Sequence, residues 1–282
     1  MSISIKKLNY VYDPESPFSV AALENVDFSV QDGEYVCILG HTGSGKSTLV
    51  QHLNGLLKPT SAEEMLVEGV DLTAKKPDMK TVRQKVGMVF QYPEYQLFEE
   101  TVLEDVSFGP KNMGLPNEEV EQRAEEALAL VGIGEDLFDA SPFELSGGQK
   151  RRVAIAGVLS MRPKVLVLDE PIAGLDPLGK KEILALIDQY HKKYNATIIM
   201  ISHNIDDIVE VADRIVVMNK GKKALEGSVE EVFSQHEKLL ELGLELPSVC
   251  ELVYRLNLIG KNIPTTICRI DDLVSFVSGV RK

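Results

Sequence analysis

Hydrophobic positions change their period along the chain, and each change predicts a different kind of structure. Near the start, Ile3, Ile5, Leu8, Tyr10 and Tyr12, then Val26, Phe28 and Val30, alternate with polar residues around the turn-rich sequence Asp13-Pro14-Glu15-Ser16-Pro17. That alternation predicts antiparallel strands with one buried face. From residue 35 it gives way to short apolar runs at 35–39, 165–168, 197–201 and 215–218, the pattern of strands covered on both faces in a largely parallel sheet. Leu49, Leu53, Leu56 and Leu57, and again Ile183, Leu184, Leu186, Ile187 and Tyr190, recur at helical spacing, so the core is βα in character. Between Gln91 and Pro163 strand signals vanish. Residues 118–131 read as an amphipathic helix with Val120, Ala124, Ala127, Leu128 and Val131 inward, and the stretch as a helical insertion into the sheet domain. The acidic face of that helix is read as solvated surface. After Gly227 the pattern is mostly helical to Lys282, broken at Pro247 and Pro264, and long enough for a small appended domain.

Composition narrows the classes. With 282 residues, 44% of them hydrophobic, the chain can bury a sizeable core. Its 30 Lys and Arg against 43 Asp and Glu give −13, which works against a generic grip on nucleic acid. The longest run free of charged residues, 194–205, is roughly a dozen residues against the ~20 of a spanning helix, so a membrane role is expected to be peripheral. The opening Met1-Ser2-Ile3-Ser4-Ile5-Lys6-Lys7 lacks the apolar stretch of a secretory signal. Cys37, Cys250 and Cys268 have no metal-ligand spacing and are read as reduced, buried thiols in a cytosol.

Chemistry concentrates in three segments. Gly40-His41-Thr42-Gly43-Ser44-Gly45-Lys46-Ser47-Thr48 follows a predicted strand and opens a predicted helix, which makes it a P-loop. Its glycines let backbone N–H groups curl around phosphate oxygens, Lys46 would reach the β- and γ-phosphates, and the Ser47 hydroxyl would ligate Mg²⁺. His41 is read as a loop residue without a catalytic part. The strand at 165–168 delivers Asp169, suited to a Mg²⁺ contact, and Glu170, suited to activating a water. The third segment, Leu145-Ser146-Gly147-Gly148-Gln149, combines an N-cap serine with two glycines that expose the first N–H groups of a helix, a second anion site.

Residues 145–149 resemble the signature of ATP-binding cassette (ABC) ATPases. The resemblance covers about residues 1–230 and extends to Gln91, similar to the Q-loop glutamine that senses Mg²⁺ and water; to Asp176 in Ala173-Gly174-Leu175-Asp176, similar to the D-loop; to His203, similar to the switch histidine at the γ-phosphate; and to Tyr12, similar to the aromatic that stacks on adenine. It implies ATP and Mg²⁺ as ligands. It also implies two chains facing head to tail, with each nucleotide held by the P-loop, Asp169, Glu170, Gln91 and His203 of one and Ser146, Gly147 and Gly148 of the other. The implied fold is an α/β P-loop NTPase: a RecA-like mixed sheet core, an antiparallel β subdomain, a helical signature subdomain at about 92–163, and a small, mostly helical C-terminal domain at 231–282.

Three stretches narrow the resemblance: 90–102 with its Gln96-Leu97-Phe98-Glu99-Glu100-Thr101, Phe108-Gly109-Pro110, and 149–157. They resemble the ATPases of energy-coupling factor transporters, which power uptake of vitamins or of cobalt and nickel ions, and among these the second ATPase subunit. The implied partners are a second ABC ATPase, with a heterodimer favoured, a transmembrane T subunit received by a short helix at about 93–98, and a substrate-binding S component. The C-terminal domain would pair the two ATPases, at the cytoplasmic face of the membrane and with no nucleic acid. Ile172 and Ser61-Ala62-Glu63-Glu64 depart from the family pattern, at positions that handle no phosphate. The competing reading is a soluble, non-transport ABC ATPase acting on nucleic acid or ribosomes. A nucleotide kinase would leave residues 145–149 and His203 unexplained.

Overall fold

The early alternation forms a four-stranded antiparallel sheet, in the order β2-β1-β4-β5. Strand β1 (Ile3–Tyr12) pairs with β2 (Val20–Val30) so that Ile3 faces Val30 and Ile5 faces Phe28. Two short strands, β4 (Glu64–Val67) and β5 (Val70–Asp71), complete its other edge. The computed structural model describes residues 1–279.

The apolar runs build a second sheet from β3 (Tyr35–Leu39), β6 (Val86–Val89), β7 (Val165–Asp169), β8 (Thr197–Ile201), β9 (Arg214–Asn219) and β10 (Lys222–Ser228), in the order β10-β9-β3-β8-β7-β6. Its neighbours are parallel except at the β9–β10 edge. Every residue of β3, β7 and β8 is buried, as the unbroken runs require. Alternate side chains go to opposite faces. Val36 and Ile38 join α1 (Lys46–Leu53) and the antiparallel sheet in one core, while Cys37 and Leu39 join the helices on the other side.

Helix α1 is shorter than its leucines suggest. It ends at Leu53, and Gly55 at φ +70° turns the chain, leaving Leu56 and Leu57 beyond it. A short α2 (Met79–Lys85) leads into β6. The expected insertion follows as α3 (Val102–Met113), α4 (Asn117–Leu130) and α5 (Gly147–Leu159), with α4 burying the predicted Val120, Ala124, Ala127 and Leu128. At the expected short helix, residues 93–98, the chain makes one 3₁₀ turn over Pro93–Gln96. Helices α6 (Pro177–Tyr194) and α7 (Ile205–Val211) flank β8.

The C-terminal stretch contains α8 (Val229–Phe233), α9 (His236–Glu241), α10 (Ser248–Leu258) and α11 (Ile270–Val277). Val253, Ile263 and Leu273 form a small core of their own, whereas Leu239, Leu246, Cys250 and Cys268 pack into the main one. Residues of the C-terminal stretch thus share the main core with the sheet domain, and its residues 280–282 lie outside the described residues. All three cysteines are buried and unbridged.

Candidate active site

Strands β3, β6, β7 and β8 run parallel, so their carboxyl ends deliver Gly40, Gln91, Glu170 and His203 to one edge, where ligands of open α/β sheets bind. Gly40 has φ +146°, and a Cβ there would lie 2.3 Å from the Met218 carbonyl oxygen. Gly45 has φ +101°, and its Cβ would lie 2.7 Å from that of Ala22. Only glycine fits either position. At Gly43 nothing lies within 4 Å, which leaves the mouth of the loop open. The β9–β10 turn braces the loop from outside: Gly221 N–H donates to Ser44 O (3.0 Å), and Glu24 N–H on β2 donates to Gly221 O (2.9 Å).

Lys46 Nζ donates to the loop's own carbonyls, Gly40 O at 2.6 Å and His41 O at 3.0 Å. Burial pushes the pKa of this ammonium down, while Glu170 and Asp169 act in the other direction. Asp169, at the end of β7, is buried. Burial raises its carboxyl pKa, a hydrogen bond from the Ser47 side chain opposes the rise, and the charge of Glu170 adds to it. Ser44 Oγ is buried without a partner beneath the loop.

Glu170 is held from three directions. Its backbone sits at φ +53°, a strained conformation for a residue with a side chain, and its N–H donates to Ile201 O on β8 at 3.0 Å. One carboxylate oxygen lies 2.8 Å from His203 Nε2, and the other accepts from Gln91 Nε2 at 3.3 Å. A strand end, a glutamine and a histidine thus aim one carboxylate into the space beside the P-loop. That arrangement can cradle an anion, neutralise it and orient a water against it.

Other sequence-selected residues take different places. Tyr12 shares a hydrogen bond with Thr48 Oγ1 (3.2 Å), which sets its ring at the P-loop helix, and Tyr10 packs edge-on between Tyr12 and the buried His52. His41 turns its ring away from the loop interior, and Thr42 is exposed. Ser146 caps α5 as expected, in a full capping box with Gln149. Leu145 is buried below it, while Gly147 and Gly148 are exposed with open space around them. Asp176 caps α6, accepting from Gly179 N–H at 2.7 Å. Among the described residues no hydrogen bond joins Ser146, Gln149 or Asp176 to the P-loop.

Sequence reasoning misses a buried hub. Arg151, with a side chain 4% exposed, donates two hydrogen bonds to Glu94 (3.1 and 2.9 Å) and one to Ala173 O (2.6 Å). It ties α5 to the turn at Pro93–Gln96 and to the segment after Glu170. The only sequence signal is its place in Lys150-Arg151-Arg152, which does not mark one arginine as buried. Beside this turn lies a groove of about 500 Å³ whose lining includes Arg83, Phe98, Phe108, Met113 and Met161. Tyr95, 85% exposed, stands on the same turn. Among the described residues no helix is long and apolar enough to cross a membrane.

The family model for ABC transporters matches residues 23–173. The energy-coupling factor transporter ATP-binding protein EcfA2 of Caldanaerobacter subterraneus is 52% identical over 272 residues, 96% of this chain and 95% of the relative. EcfA2 of Clostridium perfringens is 52% identical over 273 residues, 96% and 95% respectively. Among solved structures, cbiO1 from Clostridium perfringens, part of the ABC transporter complex cbiONQ, matches at 41% identity and TM-score 0.73, over 90% of this chain and 98% of that one. The ATP-binding cassette MJ0796, a dimer in a post-hydrolysis state bound to ADP and Pi, matches at 29% identity and TM-score 0.72, over 80% and 98%. The ABC ATPase fold expected from the sequence is thereby established. A family model spanning more than half of the chain, and relatives half identical over almost all of it, show that this protein belongs to the ABC transporter family, among the ATP-binding proteins of energy-coupling factor transporters.

Proposed function

We propose that the chain is the ATP-binding and ATP-hydrolysing subunit of an energy-coupling factor importer, working at the cytoplasmic face of the membrane to drive uptake of a vitamin or a transition-metal ion. The observation that carries the reading is the Glu170 carboxylate, fixed by His203 and Gln91 beside Lys46. When nucleotide enters, Lys46 exchanges the Gly40 and His41 carbonyls for phosphate oxygens, and the N–H groups at the start of α1 supply further donors. Glu170 orients the attacking water and takes its proton, while His203 holds the carboxylate and faces the γ-phosphate. Tyr12 stacks on adenine. Ser146, Gly147 and Gly148, which are exposed, and the half-buried Gln149 serve the nucleotide of a partner ATPase across a head-to-tail dimer, with Asp176 at the same interface. The dimeric state of the MJ0796 cassette supports that arrangement.

The donor set fits magnesium: the Ser47 hydroxyl and Asp169 carboxylate are neighbouring hard oxygen ligands, and Gln91 adds an amide oxygen. When bound, the ion neutralises charge on the phosphates. The apolar groove beside Pro93–Gln96 suits a helix of a transmembrane T subunit, which joins an S component that selects the cargo. The exposed Leu258, Ile259, Ile270 and Val274 suit pairing of the C-terminal helices with a second ATPase.

Affinity purification of the tagged chain from detergent-solubilised membranes, read by mass spectrometry, tests this. A second ABC ATPase, a polytopic T subunit and small S proteins are expected. Recovery of only soluble proteins or nucleic acid would leave an ATPase without a transport role.

A further inference from the structure

We propose that His41 is a positioning residue through which the C-terminal helices steady the phosphate-binding loop and respond to its occupancy. The inference rests on the nucleotide-binding role assigned to that loop. The main-chain oxygen of His41 accepts from Lys46 Nζ and from Ser44 N–H, each at 3.0 Å, so its backbone belongs to the cradle. Its ring points the other way, with Nε2 2.7 Å from the main-chain oxygen of Leu242. A carbonyl only accepts, so Nε2 carries the proton and donates.

Leu242 caps the C-terminus of α9, where carbonyls lack helical partners and are free to accept. The next residue is fitted to the approach. Gly243 sits at φ +70°, and a Cβ there would lie 2.9 Å from His41 Nε2, so the imidazole fills the space a side chain would need. A second tie reaches the same segment from the switch histidine's side. Asp206, three residues after His203, accepts from Ser248 N–H (2.7 Å) and Ser248 Oγ (2.6 Å) at the first turn of α10. A carboxylate is favoured at that end of a helix. The segment joining α9 to α10 is therefore fastened to both the P-loop and the helix that follows His203, and His203, Asn204, Asp206, Gly243 and Ser248 line one cleft between them.

Such a tie carries free energy in both directions. Nucleotide draws Lys46 off the His41 carbonyl and orders the loop, which fixes the ring against Leu242. The docked turn raises nucleotide affinity by the same factor. One side-chain hydrogen bond sets the scale at about three- to ten-fold.

Amide hydrogen exchange on the full-length chain tests this, with and without an ATP analogue that has a nonhydrolysable β,γ bridge, in wild type, His41→Ala and His41→Gln. In wild type and in His41→Gln, which keeps an N–H donor, the analogue should slow exchange at 242–250 by about three- to ten-fold. His41→Ala should lose that effect and bind the analogue weaker by the same factor, while residues 43–48 remain protected by the analogue in all three. Exchange at 242–250 that ignores the analogue in wild type, or that slows equally in His41→Ala, would overturn the proposal. Absent protection at 43–48 in every form would overturn the nucleotide reading with it.

Discussion

Replacing Arg151 by methionine tests whether the buried hub holds three functional segments together. The Arg151 side chain is 4% exposed and that of Glu94 18%, and among the described residues Arg151 makes both of the side-chain hydrogen bonds that Glu94 accepts. Methionine fills a similar volume but leaves the half-buried carboxylate unpaired and strips Ala173 O of its donor. Stripping such a partly buried charge of its partner costs about 1–3 kcal/mol, because little water is at hand to replace the lost hydrogen bonds. For a chain of this size that corresponds to a fall in Tm of roughly 2–5 °C. Removing both charges in Glu94→Gln with Arg151→Met should recover most of the loss, since no ion is then stranded. Thermal and urea unfolding followed by circular dichroism reads both variants. A loss below about 1 kcal/mol in Arg151→Met, the scale of an exposed pair, would refute the reasoning. So would a double variant as unstable as the single one.

Asp169→Asn should stabilise the nucleotide-free protein near pH 8, because burial raises the carboxyl pKa above its ordinary 3.8. An acid with a raised folded pKa costs stability progressively as pH climbs from the unfolded value through the folded one, so urea unfolding should show the advantage shrinking as pH falls toward that range. The same substitution should cut Mg²⁺-dependent turnover roughly 10–100-fold. Gly40→Ala must open the 2.3 Å approach to Met218 O at a positive φ, and nucleotide titration should show affinity down by about 5–150-fold for a strain of 1–3 kcal/mol. Tyr12→Leu should raise the KM for ATP by roughly 5–100-fold through lost stacking, whereas Tyr12→Phe, which loses only the bond to Thr48, should stay near wild type in steady-state assays.

Features encoded by local periodicity or by a contiguous motif were legible in the sequence. The apolar runs became the buried central strands, Gly40–Gly45 became the strand-to-helix loop, and the Ser146 and Gln149 spacing became a capping box. Short or polar elements were not. Strand β5 has two residues, and β10 buries only Leu225, so neither carries an apolar signature. The four leucines from Leu49 to Leu57 kept helical spacing past the point where Gly55 ends the helix, because spacing does not register a backbone turn. Contacts between distant segments were invisible for a simpler reason. Glu94 and Arg151, or His41 and Leu242, meet only because the sheet order and helix packing bring them together, and no local pattern encodes that. Glu170, Gln91 and His203 were selected by motif, yet their convergence on one carboxylate emerges only with the parallel strand ends.

Glu170→Gln, in the complex purified through this chain, is the decisive variant, its ATP turnover measured alongside nucleotide affinity. The amide keeps the size and the approach of His203 and Gln91 but cannot take a proton from water. ATP binding should be retained and turnover reduced by about 10²–10⁴. Near-normal turnover in that variant would contradict the proposed role of Glu170, since hydrolysis would then not depend on the carboxylate around which the site is built.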